Sequence, residues 1–165
     1  MMNRKPIFAL KLATLVIALG YSLILPVMPF YMENLGAGGR ELGWLTAVYA
    51  LAQTVCAPFW GALSDRIGRK PIISIGMLGY TISLLLFGLA SSFCTLFIAR
   101  ALSGVLSSAT SVASLAYVGD SSTEDERSKN MGQLGAAMSV GVMLGPLFGG
   151  ILAGYSLVLP FFTGA

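Results

Sequence analysis

Five stretches of this 165-residue chain carry no Asp, Glu, Lys or Arg: residues 12–32, 42–64, 71–99, 101–119 and 130–165. A helix needs about 20 predominantly apolar residues to cross a hydrocarbon layer ~30 Å thick, so the first four stretches supply one helix each. The fifth, 36 residues long, is too long for one span and breaks where Tyr155 and Ser156 follow Gly154. The pattern predicts five spanning helices, at about residues 7–31, 42–63, 71–90, 94–118 and 131–154, and a partial sixth over 157–165. At 1.5 Å per residue the sixth reaches about 13.5 Å; it does not span, and the chain reads as truncated within it. The connections, about 33–41, 65–70, 91–93 and 120–130, are short, which makes sequential helices neighbours in one bundle.

Composition removes the soluble alternative. Hydrophobic residues make up 56% of the chain, charged residues 10%, and the mean hydropathy is +0.81, far from the balance of a soluble domain. The lipid bilayer is therefore the first partner. The basic residues are placed asymmetrically: Arg4, Lys5, Lys11, Arg66, Arg69, Lys70, Arg127 and Lys129 fall on one side, Arg40 on the other, and Arg100 inside a span. Because Lys and Arg are retained on the cytoplasmic side, the N-terminus is expected in the cytoplasm. The net charge of +3 thus reports topology and does not point to a nucleic acid. The N-terminal run follows basic residues as a signal peptide does, but it is too long and lacks a small-residue cleavage site, so it is read as a retained first helix. Cys56 and Cys94 sit in or beside apolar spans and there is no His, which argues against a disulfide framework, a metal site or a cofactor.

The charges between spans two and three are patterned. GALSDRIGRK, residues 61–70, places Asp65 near the C-terminal end of a helix, where the macrodipole disfavours an anion by about 0.3–1 kcal/mol. Arg66, Arg69 and Lys70 across a turn at Gly68, the start of the next helix at Pro71, or another helix end are the groups able to stabilise it. Gly61, four residues earlier on the same face, leaves room for another backbone. On the fourth span Arg100, Gly104, Ser107, Ser111 and Ser114 form one small and polar stripe. Such a stripe faces protein or water, since an Arg in lipid is costly; the alternative is that Arg100 snorkels to the outer headgroups. The fifth span carries Ala137, Gly141, Gly145 and Gly149 at every fourth position beside Pro146. That row permits close helix contact at a proline kink, in either a sliding or a static packing. Tyr49, Gln53, Cys56 and Trp60 line one face of the second span, either as contacts for an aromatic, amphipathic substrate or as packing; Tyr21 and Met138 are candidates on the same grounds. Thr123 precedes Glu126 by three residues, a capping-box spacing that suggests a short helical lead into the fifth span, the alternative being a solvated loop.

These residues carry a resemblance. Gly61, Leu63, Asp65, Arg66, Gly68, Arg69 and Lys70 are similar to the loop between helices 2 and 3 of the major facilitator superfamily. LILPVMP (residues 23–29) resembles the proline pair ending helix 1 in drug/proton antiporters. ARALSG (residues 99–104) resembles the helix 4 Arg-x-x-x-Gly motif, and GVMLGPLFGG (residues 141–150) the antiporter motif of helix 5, through Gly141, Gly145, Pro146, Gly149 and Gly150. The resemblance covers essentially the whole chain and is closest to bacterial tetracycline, quinolone and multidrug pumps. It implies the N-terminal six-helix half of a twelve-helix protein of the plasma membrane, with a substrate site between two halves and the C-terminal half absent. It further implies that Asp65, Arg69 and Asp120 form a charge cluster holding one conformation, and that Arg100 couples transport to protons.

One departure bears on mechanism. No complete span contains Asp, Glu or His, and where some tetracycline pumps have an acid in helix 1 this chain has Ile17. Either the proton-binding carboxylate lies in the missing half, as the resemblance favours, or protons are not used. The expected function is a secondary transporter, proton-coupled and exporting small amphipathic molecules. A sugar or metabolite uniporter or symporter, and a non-transporting half that needs a partner chain, are the alternatives. An enzyme is not expected, because the glycines lie inside apolar helices and no nucleophile–base pair or metal cluster is present.

Overall fold

The proline pair of the first span decides its shape. The computed structural model describes residues 4–165; Met1, Met2 and Asn3 lie outside it, as do the side chains of Arg4 and Lys5, two of the residues behind the expected orientation. Helix α1 (Arg4–Ile24) stops before Pro26, and α2 (Met28–Asn34) restarts with Pro29 in its first turn, the two axes meeting at 46°. The single helix expected over 7–31 is therefore two. Pro26 has no N–H for the helical ladder and its ring disfavours α geometry at Leu25, whereas Pro29 is tolerated at a helix start.

Four long helices follow: α3 (Gly39–Ile67), α4 (Arg69–Gly88), α5 (Phe93–Ser121) and α6 (Glu124–Ala153). By length and composition they can cross a membrane, as can α1 and α2 taken together. Ser92 caps α5, its hydroxyl oxygen accepting from Thr95 N–H at 3.3 Å. Helix α6 starts seven residues before the expected 131, so the acidic stretch from Glu124 is its opening turn, where the macrodipole favours anions. The capping box is incomplete: Thr123 Oγ1 contacts Glu126 Oε2 at 3.5 Å and caps no amide. Helix α7 (Leu159–Gly164) packs against α1, α4 and α6, with Phe161 stacked on Phe87 at 5.8 Å and tilted on Tyr31 at 5.1 Å. Tyr31 Oη also donates to the carbonyls of Phe87 and Ala90, at 3.2 and 2.8 Å, where α4 ends.

The short connections set only part of the pairing of helices: α4 and α5 are sequential and pack along each other, whereas α3 and α4, and α5 and α6, touch little. Helix α1 packs along α6, and α5 lies between α3 and α4; adjacency in sequence was the weaker guide because each pairing is decided by where small residues let backbones touch. A methyl added to Gly104 would lie 2.5 Å from the Tyr49 carbonyl oxygen of α3, one on Gly79 would lie 2.5 Å from Leu106 of α5, and one on Gly141 would lie 2.6 Å from the Leu15 carbonyl oxygen of α1. Gly145 and Gly149 abut Ser22 and Leu23 in the same seam, whereas Gly132, Gly135 and Gly150 meet nothing within 4 Å. The opposite signs of two substitutions follow. Gly104→Ala or Gly141→Ala forces helices apart and costs about 1–3 kcal/mol; Gly132→Ala gains about 0.5–1 kcal/mol of helix propensity. Thermal melts of the chain in detergent should show the first two lowering and the last raising the midpoint.

Candidate functional site

Two groups of side chains stand out, one inside the bundle and one at its basic end. Inside, α1, α3, α4, α5 and α6 line a half-open cavity of about 460 Å³ whose lining includes Tyr21, Tyr49, Gln53 and Met138. All four residues singled out as substrate contacts thus share one space, and none of the lining residues is charged. Cys56 and Trp60 do not line it; Trp60 Nε1 donates to the Val105 carbonyl at 2.8 Å and joins α3 to α5. Ser107, Ser111 and Ser114 of the α5 stripe do line it, together with Thr110, Tyr80 and Ile17.

Arg100 lies beside this cavity, against two of the residues that line it. It is 5% exposed, so it does not reach toward headgroups, and the snorkelling alternative is set aside. Its guanidinium carbon lies 4.7 Å from the Tyr49 ring centre, 5.6 Å from Tyr21 and 5.8 Å from Phe87. The two tyrosines stack on each other at 5.6 Å. Desolvated cation–π contacts are worth about 2 kcal/mol, and three of them substitute in part for the hydration that burial removes. Tyr49 is held in turn: its hydroxyl accepts from Gln53 Nε2 at 3.4 Å and from Ser107 Oγ at 3.2 Å. The polar stripe of α5 therefore meets the aromatic and amide face of α3 across the Gly104 contact.

At the basic end, Arg69 Nη1 pairs with Asp65 at 2.5 Å, and Nε donates to Asp120 at 2.9 Å. One guanidinium joins the end of α3, the start of α4 and the end of α5. Ser64, which sequence reasoning did not single out, accepts from the same guanidinium at 2.6 Å and donates to the Gly61 carbonyl at 2.9 Å. Gly68 makes this possible with φ 97°, a left-handed conformation that strains any residue with a Cβ. A methyl added to Gly61 would lie 3.5 Å from Val112, an ordinary contact. Two members expected near Asp65 are elsewhere. Arg66 is exposed and makes no ion pair among the described residues, and Lys70 lines a separate cleft of about 410 Å³ with Leu10, Ile73 and Tyr117. On the α1–α6 seam, Gly141, Gly145 and Gly149 are buried while Pro146 and Gly150 are exposed.

Apolar spans around a central cavity with a caged arginine define an α-helical integral membrane protein. Residues 10–165 match the Major Facilitator Superfamily model, and the chain belongs to that superfamily, corresponding to its N-terminal half. It is 41% identical to Multidrug resistance protein 2 of Bacillus subtilis over 97% of this chain and 40% of that protein. It is 36% identical to Quinolone resistance protein NorA of Staphylococcus aureus over 98% of this chain and 42% of that one. The chain spans less than half the length of these relatives. The crystal structure of the human organic anion transporter MFSD10 (TETRAN) has the same fold, with a TM-score of 0.80 at 24% identity over 98% of this chain and 45% of that one.

The charge cluster yields a specific expectation. A lysine at position 69 keeps the charge but not the fork that reaches two carboxylates and a hydroxyl at once. Arg69→Lys should therefore expose the 65–70 turn to trypsin nearly as much as Arg69→Gln does. Since exposed pairs contribute about 0.2–1 kcal/mol each and Arg69 makes two, cleavage at Arg66–Ile67 should quicken by roughly two- to thirtyfold if opening limits it, as read from limited-proteolysis time courses.

Proposed function

We propose that this chain is the N-terminal half of a secondary transporter that exports aromatic, amphipathic molecules in exchange for protons by alternating access. The observation that carries the reading is the uncharged cavity walled by Tyr21, Tyr49, Gln53 and Met138, beside the caged Arg100. Flat rings and a thioether suit planar apolar ligands, and the names of the two bacterial relatives, one for multidrug and one for quinolone resistance, point the same way. A sugar carrier would need more hydrogen-bonding groups along such walls.

In this reading residues 1–165 form one transmembrane half of a plasma-membrane protein with its N-terminus in the cytoplasm. The Asp65–Arg69–Asp120 cluster clasps three helix ends on the cytoplasmic side and must break for the bundle to rock, so it acts as a gate. Arg100 has no acid beside it among the described residues; the carboxylate it serves, and which carries the proton, belongs to a second six-helix half. The buried glycine row and Pro146 let α6 and α1 shift as one seam. The machinery moves a solute and performs no covalent chemistry, so it is not an enzyme.

The test uses proton-driven ethidium uptake into everted vesicles that contain the transporter built on this half, which is the equivalent of efflux from the cell. Arg100→Ala should abolish the proton-driven component, and Asp65→Arg should slow it by at least about tenfold, equivalent to roughly 1.4 kcal/mol, with both proteins inserted at normal levels. Efflux that survives both changes contradicts the reading.

A further inference from the structure

Proline at position 146 leaves a gap in α6 that this chain fills from another helix. In a helix each N–H bonds to the carbonyl four residues earlier, and proline has no N–H to give, so Pro146 deprives the Val142 carbonyl of its amide partner. In a low-dielectric surrounding an unpartnered carbonyl is costly. The structure shows the substitute: Ser22 Oγ of α1 donates to the Val142 carbonyl at 2.6 Å. Ser22 is 0% exposed, and it reaches α6 because position 145 is glycine; any Cβ there would collide with the Ser22 side chain. Its neighbour on the same helix, Thr14, bonds instead to the Leu10 carbonyl four residues back, at 3.0 Å, as hydroxyls in helices commonly do. Ser22 gives up that local option and crosses to the next helix.

We infer that Ser22 is a positioning residue: its hydroxyl replaces the hydrogen bond Pro146 removes and so clamps the proline site of α6 to α1. Gly145 makes the room, Pro146 frees the acceptor and Ser22 occupies it. The clamp lies beside the cavity, because Tyr21 precedes Ser22 on α1, and Val142 and Met138 of α6 line the same space. It therefore sets the distance between two walls of the cavity and fixes the point about which the seam can bend. Its bearing on transport rests on the function proposed above; the hydrogen bond itself does not.

The test labels the chain in detergent micelles with carbonyl-13C valine and 15N methionine. Only the Val27–Met28 and Val142–Met143 peptide bonds then carry both labels, and Met143→Leu tells them apart. In Ser22→Ala the Val142 carbonyl resonance should move upfield while Val27 stays, and the melting midpoint should fall by about 2–4 °C, as expected for one interhelical hydrogen bond. In the Pro146→Ala background the ladder is whole, so Ser22→Ala should then cause neither change; a serine that only fills space would cost the same in both backgrounds. If Ser22→Ala alone does not fold, adding Pro146→Ala should restore folding. An unmoved Val142 resonance, equal losses in both backgrounds, or a double variant that is not rescued overturns the clamp. Loss of efflux without these signatures, or these signatures without loss of efflux, separates the clamp from the transport reading.

Discussion

The bilayer interior forbids free charge and unpartnered backbone, and the rest of the structure follows from how this chain meets that constraint. Its charges collect at the helix ends, with one exception. Arg100 lies within a span, and it is accepted there because Tyr21, Tyr49 and Phe87 surround it. Those rings come from α1, α3 and α4, so one buried cation on α5 ties together four of the five helices that line the cavity. The same constraint operates on the backbone, where Ser22 serves the carbonyl left over by Pro146. The interior of the bundle is thus lined in part by polar side chains, Tyr49, Gln53, Ser107 and Ser114 among them, which equips it to receive something other than lipid.

Close approach is the second requirement, since lipid tails give helices no hydrophobic reason to associate. Glycine supplies it at each main crossing: Gly104 against α3, Gly76 and Gly79 against α5, and Gly141, Gly145 and Gly149 against α1. The two seams differ in kind. Between α3, α4 and α5 the glycines are reinforced by Trp60, by the Tyr49 network and by the Arg69 cluster. Between α1 and α6 the contact is a row of glycines crossed by the Ser22 hydroxyl and, at one end, by Lys11 Nζ donating to Gln133 Oε1. A half-bundle built this way has one tied block and one smoother seam, which suits a molecule that must change shape without unfolding.

Much of this was readable in the residues. Runs without charge marked the spans, the resemblance to the superfamily named Asp65, Arg69 and Asp120 as one cluster, and helical spacing named Tyr49 and Gln53, with Tyr21 and Met138, as candidate substrate contacts. What escaped depended on which helices face each other. Phe87 as the third ring around Arg100 and Ser22 as the partner of Val142 lie on other helices than what they touch, Ser64 as a ligand of Arg69 depends on the turn at Gly68 folding it back, and short loops suggested the wrong neighbours for α1. The break at Leu25–Val27 was written in Pro26 and Pro29 but hidden by a continuous apolar run, because hydropathy is blind to a missing N–H. Lys70, by contrast, carries the right charge in the right motif and lies in another cleft, since consecutive residues on a helix point about 100° apart.

The central claim is that the polar stripe of α5 borders a hydrated cavity and not lipid. The most direct measurement is the reaction of single cysteines with a small, charged, water-soluble thiol reagent in native membranes, with Cys56 and Cys94 first replaced by alanine. Position 111 lines the cavity, whereas Leu78 of α4 is 66% exposed on the outside of the bundle. The structure predicts that Ser111→Cys is modified and Leu78→Cys is not. Protection at 111 together with modification at 78 would contradict it.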